Sequence, residues 1–364
     1  MNEITTDFLV KSHIFRGEKD NPFLAPRGVW ICGEKLLVAD TGQNRVFIWN
    51  ERPQQEFAPA DVVLGQIETN DTGRNAGDLV KARTLQYPSG IWSDGHKLIV
   101  ADAWNHRVLI WHRFPEHHGQ PADVVLGQPD FESNQPNVKG IGNDPNAQSL
   151  NWPYGVFSDG RQLWIADTGN RRVLYFEEIP TQNFASAQGV IGKDGFDQRD
   201  YDNNNPIWPY SVRVSPSGQM AITDTQYYRV LLWNHWETAL NEPANVLIGQ
   251  ADFSSNGQNQ YRLQPASFTL NWCYDSFFEG DTLWVADTGN SRIMKFNPIP
   301  EKNNPAAAGL IGHDDFGTGS ENSKTMSGTA NALYWPFSIC VDQRHMAIAD
   351  TGNHRVIIKN LEDL

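Results

Sequence analysis

The chain has 364 residues, and its 29 basic and 43 acidic side chains give a formal net charge of −14. A hydrophobic fraction of 39% with 20% charged residues is too apolar for a disordered chain, and the length allows a sizeable core. An acidic surface repels phosphate groups, so nucleic acid and anionic membranes are not predicted as partners.

The cysteines and the N-terminal residues indicate the compartment. Three cysteines, Cys32, Cys273 and Cys340, are too few and too scattered for a disulfide framework. The opening MNEITTDFLVKSHIFRGE has no basic region followed by an apolar run, and no stretch approaches the ~20 consecutive apolar residues that span a bilayer. We therefore expect a cytoplasmic protein.

One eight-residue motif recurs six times along the chain. Its copies are ADTGQNRV (39–46), ADAWNHRV (101–108), ADTGNRRV (166–173), TDTQYYRV (223–230), ADTGNSRI (286–293) and ADTGNHRV (349–356). Successive motif aspartates are 62, 65, 57, 63 and 63 residues apart. Self-similarity at this period predicts a repeat architecture rather than independent domains.

Each repeat contains four short runs with the composition of β-strands. The second run is an apolar stretch such as LIVAD, the third follows the motif turn as in RVLIWH, and the fourth resembles VVLGQ. Such runs, rich in β-branched and aromatic residues and bounded by Gly, Asp and Asn, are typical of strands joined by tight turns. The sequence predicts an all-β, six-bladed β-propeller of four-stranded blades. We expect one domain over 1–364, with the repeats in 28–364 and a closing strand and lead-in over 1–27.

The sixth repeat lacks a fourth strand, because the chain ends soon after RVIIKN. The segment HIFRGE (13–18) precedes the first repeat much as VVLGQ precedes the later ones. We predict that residues around His13 to Arg16 form the outer strand of the last blade, which would hide two sheet edges.

The phrase DTGNHRV (350–356), together with the aromatic-Pro-x-Gly lead-in to the first strand, resembles the NHL repeat. The resemblance extends from about Gly28 to the C-terminus. It implies a propeller whose relatives include interaction modules, amidating lyases and lactonases. Fold alone does not decide among these functions.

The motif carries an aspartate and, five residues later, an arginine in every repeat. Repetition in all blades favours a structural role over a metal or anion ring, with the carboxylate bonding turn amides and the arginine pairing with a carboxylate. The glycine of the TGN turn is expected to supply a positive φ. The residues are Asp40, Asp102, Asp167, Asp224, Asp287 and Asp350, with Arg45, Arg107, Arg172, Arg229, Arg292 and Arg355.

Length varies mainly in the crossings from one blade to the next. From the glycine of a fourth strand to the start of the next first strand, the crossings take 25, 28, 19, 26 and 26 residues. Variable loops on a rigid scaffold carry recognition. In a propeller these crossings share one face with the turns between the second and third strands. Two of those turns depart from TGN, with Trp104 in place of glycine and Tyr227 in blade four. A bulky residue at positive φ would be strained.

Aromatic residues also mark the lead-ins to successive blades, where we expect a ring around the channel mouth. The alternative is a girdle that packs neighbouring blades. Blade five alone has Cys273 for proline and Asp275 for glycine, so a carboxylate could bind a cation, act as a general base, or bond a loop amide. The predicted ligand-binding residues are Tyr87, Trp104, Trp152, Tyr154, Trp208, Tyr210, Tyr227, Trp272, Tyr274, Asp275, Trp335 and Phe337.

Three functions remain open at this point. The favoured one is a binding propeller that takes a small cationic or aromatic ligand, or a peptide or protein, at the aromatic mouth. The alternative is a metal-assisted lyase or hydrolase, although the ten histidines include no convincing zinc set and no cofactor or metal is predicted. RNA binding is least favoured, because of the −14 charge.

Overall fold

A computed structural model describes residues 12–326 and 328–364. Six antiparallel sheets of four strands each form a ring, as the sequence predicted. Three strands precede the first blade: β1 (Ser12–Phe15), β2 (Gly17–Glu18) and β3 (Asn21–Pro22). Blades one to three are β4 (Gly28–Cys32), β5 (Lys35–Asp40), β6 (Arg45–Trp49), β7 (Val62–Leu64), β8 (Pro88–Ser93), β9 (Leu98–Asp102), β10 (Arg107–Trp111), β11 (Val124–Leu126), β12 (Pro153–Ser158), β13 (Leu163–Asp167), β14 (Arg172–Phe176) and β15 (Gly189–Ile191).

The second half of the ring repeats this arrangement. Its strands are β16 (Pro209–Val214), β17 (Met220–Asp224), β18 (Arg229–Trp233), β19 (Val246–Ile248), β20 (Cys273–Glu279), β21 (Thr282–Asp287), β22 (Arg292–Phe296), β23 (Gly309–Ile311), β24 (Pro336–Asp342), β25 (His345–Asp350) and β26 (Arg355–Asn360). Each motif turn is a single 3₁₀ turn: Thr41–Gln43, Ala103–Asn105, Thr168–Asn170, Thr225–Tyr227, Thr288–Asn290 and Thr351–Asn353. Further 3₁₀ turns are Arg74–Gly77, Thr238–Leu240, Gln258–Tyr261, Glu321–Lys324 and Leu361–Asp363.

The first strand of each blade lines the axis. These inner strands contact one another in the order β4, β8, β12, β16, β20, β24 and back to β4. Each sheet therefore packs between two others, which buries both of its faces. This explains why a central strand such as LIVAD in β9 is apolar without alternation and buried throughout. Across the described part of the chain, none of the helices has the length and apolarity needed to traverse a bilayer.

The N-terminal segment closes the ring, so the predicted closure is confirmed. Strand β1 pairs antiparallel with β26, from Ser12 opposite Lys359 to Phe15 opposite Val356. The Phe15 ring packs 4.7 Å from Trp49 of blade one, centroid to centroid. The same segment thus completes the sheet of blade six and contributes core to blade one, which ties the first blade to the last.

The motif aspartate and arginine form a buried pair in every blade, with Nε–Oδ2 distances of 2.6–3.0 Å. In blade two, Asp102 also accepts a backbone bond from Gln86 at 2.7 Å. Arg107 donates to the carbonyls of Thr84, in the crossing that enters the blade, and Phe131, in the crossing that leaves it. Burial raises the pKa of Asp102, and the Arg107 charge opposes that rise. The pairs are structural ties between crossings.

The turn glycine does not have a positive φ, so that prediction is wrong. The left-handed residue is the one before the motif arginine, as at His106 with φ 52°. Glycine is needed instead for close approach, because a Cβ on Gly169 would lie 2.6 Å from the Asn151 side chain. Trp104 accordingly carries no positive-φ strain. The Trp104 backbone amide donates to the Gln86 carbonyl oxygen at 3.2 Å, whereas the equivalent bond from Gly169 to the Asn151 carbonyl oxygen is 2.8 Å long.

Candidate functional site

Five aromatic side chains form an arc around the axis at the face that carries the crossings, which we call the crossing face. Tyr154 and Tyr210 stack with centroids 4.7 Å apart and planes 12° apart. Tyr210 meets Tyr274 edge to face at 4.6 Å, and Tyr274 contacts Phe337 at 4.2 Å. At the other end, Tyr87 lies 6.2 Å from Tyr154. The second lead-in aromatics of blades three to six therefore contact each other across blades.

A residue that sequence reasoning missed completes this inner ring. The Arg27 guanidinium carbon lies 4.1 Å from the Phe337 ring centroid and 5.1 Å from that of Tyr87. A cation between two ring faces is held by their quadrupoles. An alignment of the repeats could have found this residue, because it places Ala25-Pro26-Arg27-Gly28 in register with Trp152-Pro153-Tyr154-Gly155. Arg27 is the blade-one equivalent of the second lead-in aromatic.

The inner ring lines a small cavity on the axis. Its volume of about 20 Å³ is room for about one water molecule. Burial raises the pKa of Tyr154 to about 12. Burial likewise raises the pKa of Tyr87 and of Tyr274. These three hydroxyls are therefore protonated at neutral pH.

Asp275 lies below the inner ring and not at the open mouth, so it does not take part in the predicted aromatic ligand site; of the three roles open to it, the structure shows a bond to a backbone amide. It is 3% exposed and pairs with Arg213 at 2.8 Å. Its carboxylate also accepts bonds from the Ser338 hydroxyl at 2.9 Å and the Ile339 amide at 3.1 Å. Burial raises the pKa of Asp275, and Arg213 opposes this rise. Asp275 thus joins three inner strands.

Above the inner ring, indole side chains reach the surface of the crossing face. Trp104, Trp272 and Trp335 are 38%, 41% and 44% exposed, whereas Trp152 and Trp208 are half-buried. Trp104 stacks on Tyr87 at 4.6 Å with planes 7° apart.

Tyr227, the other predicted turn aromatic, contacts the motif arginine of its own blade. The guanidinium carbon of the motif residue Arg229 lies 4.8 Å from the Tyr227 ring centroid. This contact belongs to the structural arginine of blade four. Tyr227 therefore has one partner in place, as has Trp104, which stacks on Tyr87 and has the Arg74 guanidinium carbon 5.6 Å from its ring centroid.

One part of this surface is a concave cavity of about 500 Å³. It is lined by Gln86, Trp104, His106, Trp152, Tyr154 and Trp208. The two blade-three and blade-four indoles in it, Trp152 and Trp208, are 6.2 Å apart between ring centroids. The structure thus brings together four of the predicted residues in one cavity and leaves Trp272 and Trp335 outside its lining.

His106, in the cavity wall, was not predicted as a site residue. It is the left-handed residue before the motif arginine, and its Nδ1 accepts the Trp152 amide at 3.1 Å. Asn44 holds the Tyr87 amide in the same way at 3.0 Å. This position therefore anchors the next blade's lead-in. Burial lowers the pKa of His106 to about 4, so the ring is neutral at neutral pH.

This shift predicts a loss of stability in mild acid. Between pH 6.5 and 4 the unfolded chain takes up a proton at His106 that the folded chain excludes, so stability falls as pH falls. From pH 7 to pH 5 the cost is about 2 kcal/mol. Urea unfolding at both pH values should show a smaller loss for His106→Asn, which keeps an acceptor as at Asn44. Equal losses in the two proteins would contradict the assignment.

Within residues 12–326 and 328–364, no group of three or more His, Cys, Asp or Glu side chains is placed to hold a metal ion. All three cysteines are free thiols, with Cys273 and Cys340 buried. Burial raises the pKa of Cys340 and of Cys273 well above that of an ordinary thiol. These thiols are therefore protonated and unreactive as nucleophiles.

A ring of six four-stranded blades closed by strands from both ends of the chain defines a six-bladed β-propeller. No protein-family model matches the chain. NHL repeat-containing protein 2 of Gallus gallus is 23% identical over an alignment of 373 positions, which covers 94% of this chain and 47% of that protein. The chain therefore spans about half the length of this relative. Its sixfold motif and its blade structure are consistent with an NHL-repeat propeller.

Two solved structures show the same fold at low sequence identity. Hydrazine synthase of Kuenenia stuttgartiensis matches with a TM-score of 0.52 at 10% identity, over 93% of this chain and 96% of that chain. A structural genomics protein of unknown function from Bacteroides thetaiotaomicron matches with a TM-score of 0.51 at 10% identity, over 96% and 75%. At this identity the similarity concerns the fold alone.

Proposed function

We propose that this propeller is a binding module that accepts a planar group, either an aromatic ring or a guanidinium, in the mouth cavity of the crossing face. The group belongs to a small molecule or to a peptide side chain. The observation that carries the proposal is the cavity of about 500 Å³ with Trp104, Trp152 and Trp208 in its wall. Aromatic walls on a rigid scaffold suit stacking of a flat ligand.

The electrostatics of the cavity favour planar groups over compact ammonium ions. No side chain in the cavity lining is charged at neutral pH, because the pKa of His106 is lowered to about 4 and that of Tyr154 is raised to about 12. Asp275 is paired with Arg213 below the ring. A cation here would be held by ring faces alone and would share the Trp104 ring with Arg74, whose guanidinium carbon lies 5.6 Å from the ring centroid. A planar guanidinium stacks on such faces better than an ammonium does. The chain's −14 charge would raise the local concentration of cations.

Catalysis has less support. The Asp275–Arg213 pair lines a cavity of about 20 Å³, which is too small for an organic substrate. In the cavity itself, the pKa of His106 is lowered to about 4 and that of Tyr154 is raised to about 12. Both values lie far from the neutral range in which general acid–base catalysis is efficient. RNA binding stays disfavoured by the net charge of −14.

Binding should be measured by calorimetry and tryptophan fluorescence with tryptamine, arginine amide and butylammonium as probes. We expect the two planar probes to bind and butylammonium to bind more weakly or not at all. Trp104→Ala removes one wall and should weaken the planar probes about tenfold, or ~1.4 kcal/mol.

Trp335→Ala is the matched control. Trp335 is an equally exposed indole on the same face, but it does not line the cavity. It should leave the affinity of the planar probes unchanged. Equal losses in the two variants, or tightest binding of butylammonium, would refute the assignment of the site.

A further inference from the structure

The exposed apolar side chains are concentrated on one side of the molecule. Among the described residues, every large hydrophobic side chain with high exposure lies in a crossing, in the lead-in to blade one, or in a motif turn. All of these segments belong to the crossing face. Within residues 12–326 and 328–364, the loops of the opposite face contribute none.

Four of these side chains follow a repeated rule. In the crossings that enter blades two, three, five and six, an asparagine adopts the left-handed conformation, and the fourth residue after it is a large aliphatic residue. The asparagines are Asn75, Asn137, Asn259 and Asn322. The aliphatic residues, which we call the apolar crown, are Leu79, Ile141, Leu263 and Met326.

The crossing loops that carry the crown are firmly held. The backbone amide of each asparagine donates to the backbone carbonyl of a leucine further along the same crossing, at 2.8–3.0 Å. Each asparagine side chain also exchanges two amide hydrogen bonds with the motif asparagine of its blade, as between Asn137 and Asn170 at 3.1 and 2.9 Å. The asparagine four positions before each crown residue is therefore held in the same way in all four crossings.

The crown has no packing role inside the propeller. Leu79 and Ile141 are 76% and 59% exposed, and Leu263 and Met326 are fully exposed at 104% and 105%. Leaving such a side chain in water forgoes the ~1.5–3 kcal/mol that its burial would contribute. The four side chains share one face as two pairs, each pair on the crossings into neighbouring blades. Exposed apolar residues concentrated on one face are typical of an interaction site.

Cations flank the crown in this acidic protein. Lys139, Arg262 and Lys324 are exposed and lie within two residues of Ile141, Leu263 and Met326 respectively. A complementary surface would therefore be apolar with carboxylates beside it. Trp272 and Trp335, the exposed indoles that do not line the mouth cavity, add the aromatic anchors that are common at protein interfaces.

We propose that the crown is a docking surface for a partner protein whose contact surface combines aliphatic or aromatic residues with adjacent carboxylates. A protein surface is favoured over an anionic bilayer because the chain carries a net charge of −14, which repels acidic lipid. The crown residues do not line the mouth cavity. The proposal is thus independent of whether the cavity binds a planar group.

Random peptides displayed on phage, selected on the immobilised full-length protein, provide the probe. We expect selected peptides to combine apolar with acidic residues. Their affinity should fall at least about tenfold for the Leu263→Ser/Met326→Ser double variant. Glu178→Ser, an exposed substitution in the loop between the third and fourth strands of blade three, should leave affinity unchanged, and so should the cavity variant Trp104→Ala.

Three results would overturn the proposal. The first is a set of selected peptides that bind the crown variant as tightly as the wild type. The second is crown-dependent sedimentation of the protein with phosphatidylserine-containing vesicles, which would assign the crown to a lipid surface. The third is concentration-dependent dimerisation, by analytical ultracentrifugation, that the crown substitutions abolish. Crown-dependent peptide binding together with failed binding of planar probes would refute the cavity proposal alone.

Discussion

Deletion of residues 1–18 should lower the free energy of unfolding by roughly 5 kcal/mol. The deletion removes β1, so β26 loses four backbone pairings and becomes an unprotected edge. It also removes Phe15, which is 1% exposed and contacts both Phe23 and Trp49 of the blade-one cluster. The ring then loses its tie between blades six and one. Urea denaturation followed by circular dichroism measures the effect.

Deletion of residues 1–11 is the matched control, because it shortens the chain but retains β1. It should change the free energy of unfolding by less than about 1 kcal/mol. The exposed edge of the longer deletion should also make that variant prone to association, visible by light scattering. If both deletion variants unfold like the full chain, β1 does not stabilise the ring.

Arg172→Lys should cost about 3 kcal/mol, because a lysine cannot replace a buried, branched guanidinium. Arg172 is fully buried and donates from Nε to Asp167 at 2.8 Å. Its Nη2 donates to Asn146 and Ser149 oxygens at 2.9 and 3.0 Å, and its Nη1 donates to the Phe196 oxygen. A single ammonium leaves several of these buried acceptors unpaired.

Arg161→Lys is the corresponding exposed change. Arg161 and Glu178 are 4.0 Å apart with side chains 76% and 77% exposed, so this variant should unfold like the wild type. Arg172→Lys should keep the wild-type preference among planar and ammonium probes. Normal unfolding combined with lost probe binding would instead assign Arg172 to recognition.

Local patterns were sufficient to predict the architecture. A motif that recurs at nearly constant spacing indicates the same turn in every blade. Short runs of β-branched residues between glycine and asparagine indicate the strands of each blade. Closure followed from a strand count, because the last repeat has three strands and a matching segment lies before the first. The structural role of the motif aspartates and arginines followed from their presence in all six repeats, and the structure buries all of them.

Only the tertiary structure decided which side chains face each other across blades. The glycine of the TGN turn is required by the approach of a residue 18 positions earlier, as between Gly169 and Asn151. Asp275 meets Arg213, 62 residues away, and Arg27 meets Phe337 from the opposite end of the chain. A repeat period fixes hydrogen bonding within a blade, but the distances between blades arise when the ring closes. Solvent exposure, which distinguishes the apolar crown from a buried apolar residue, is set at that same step.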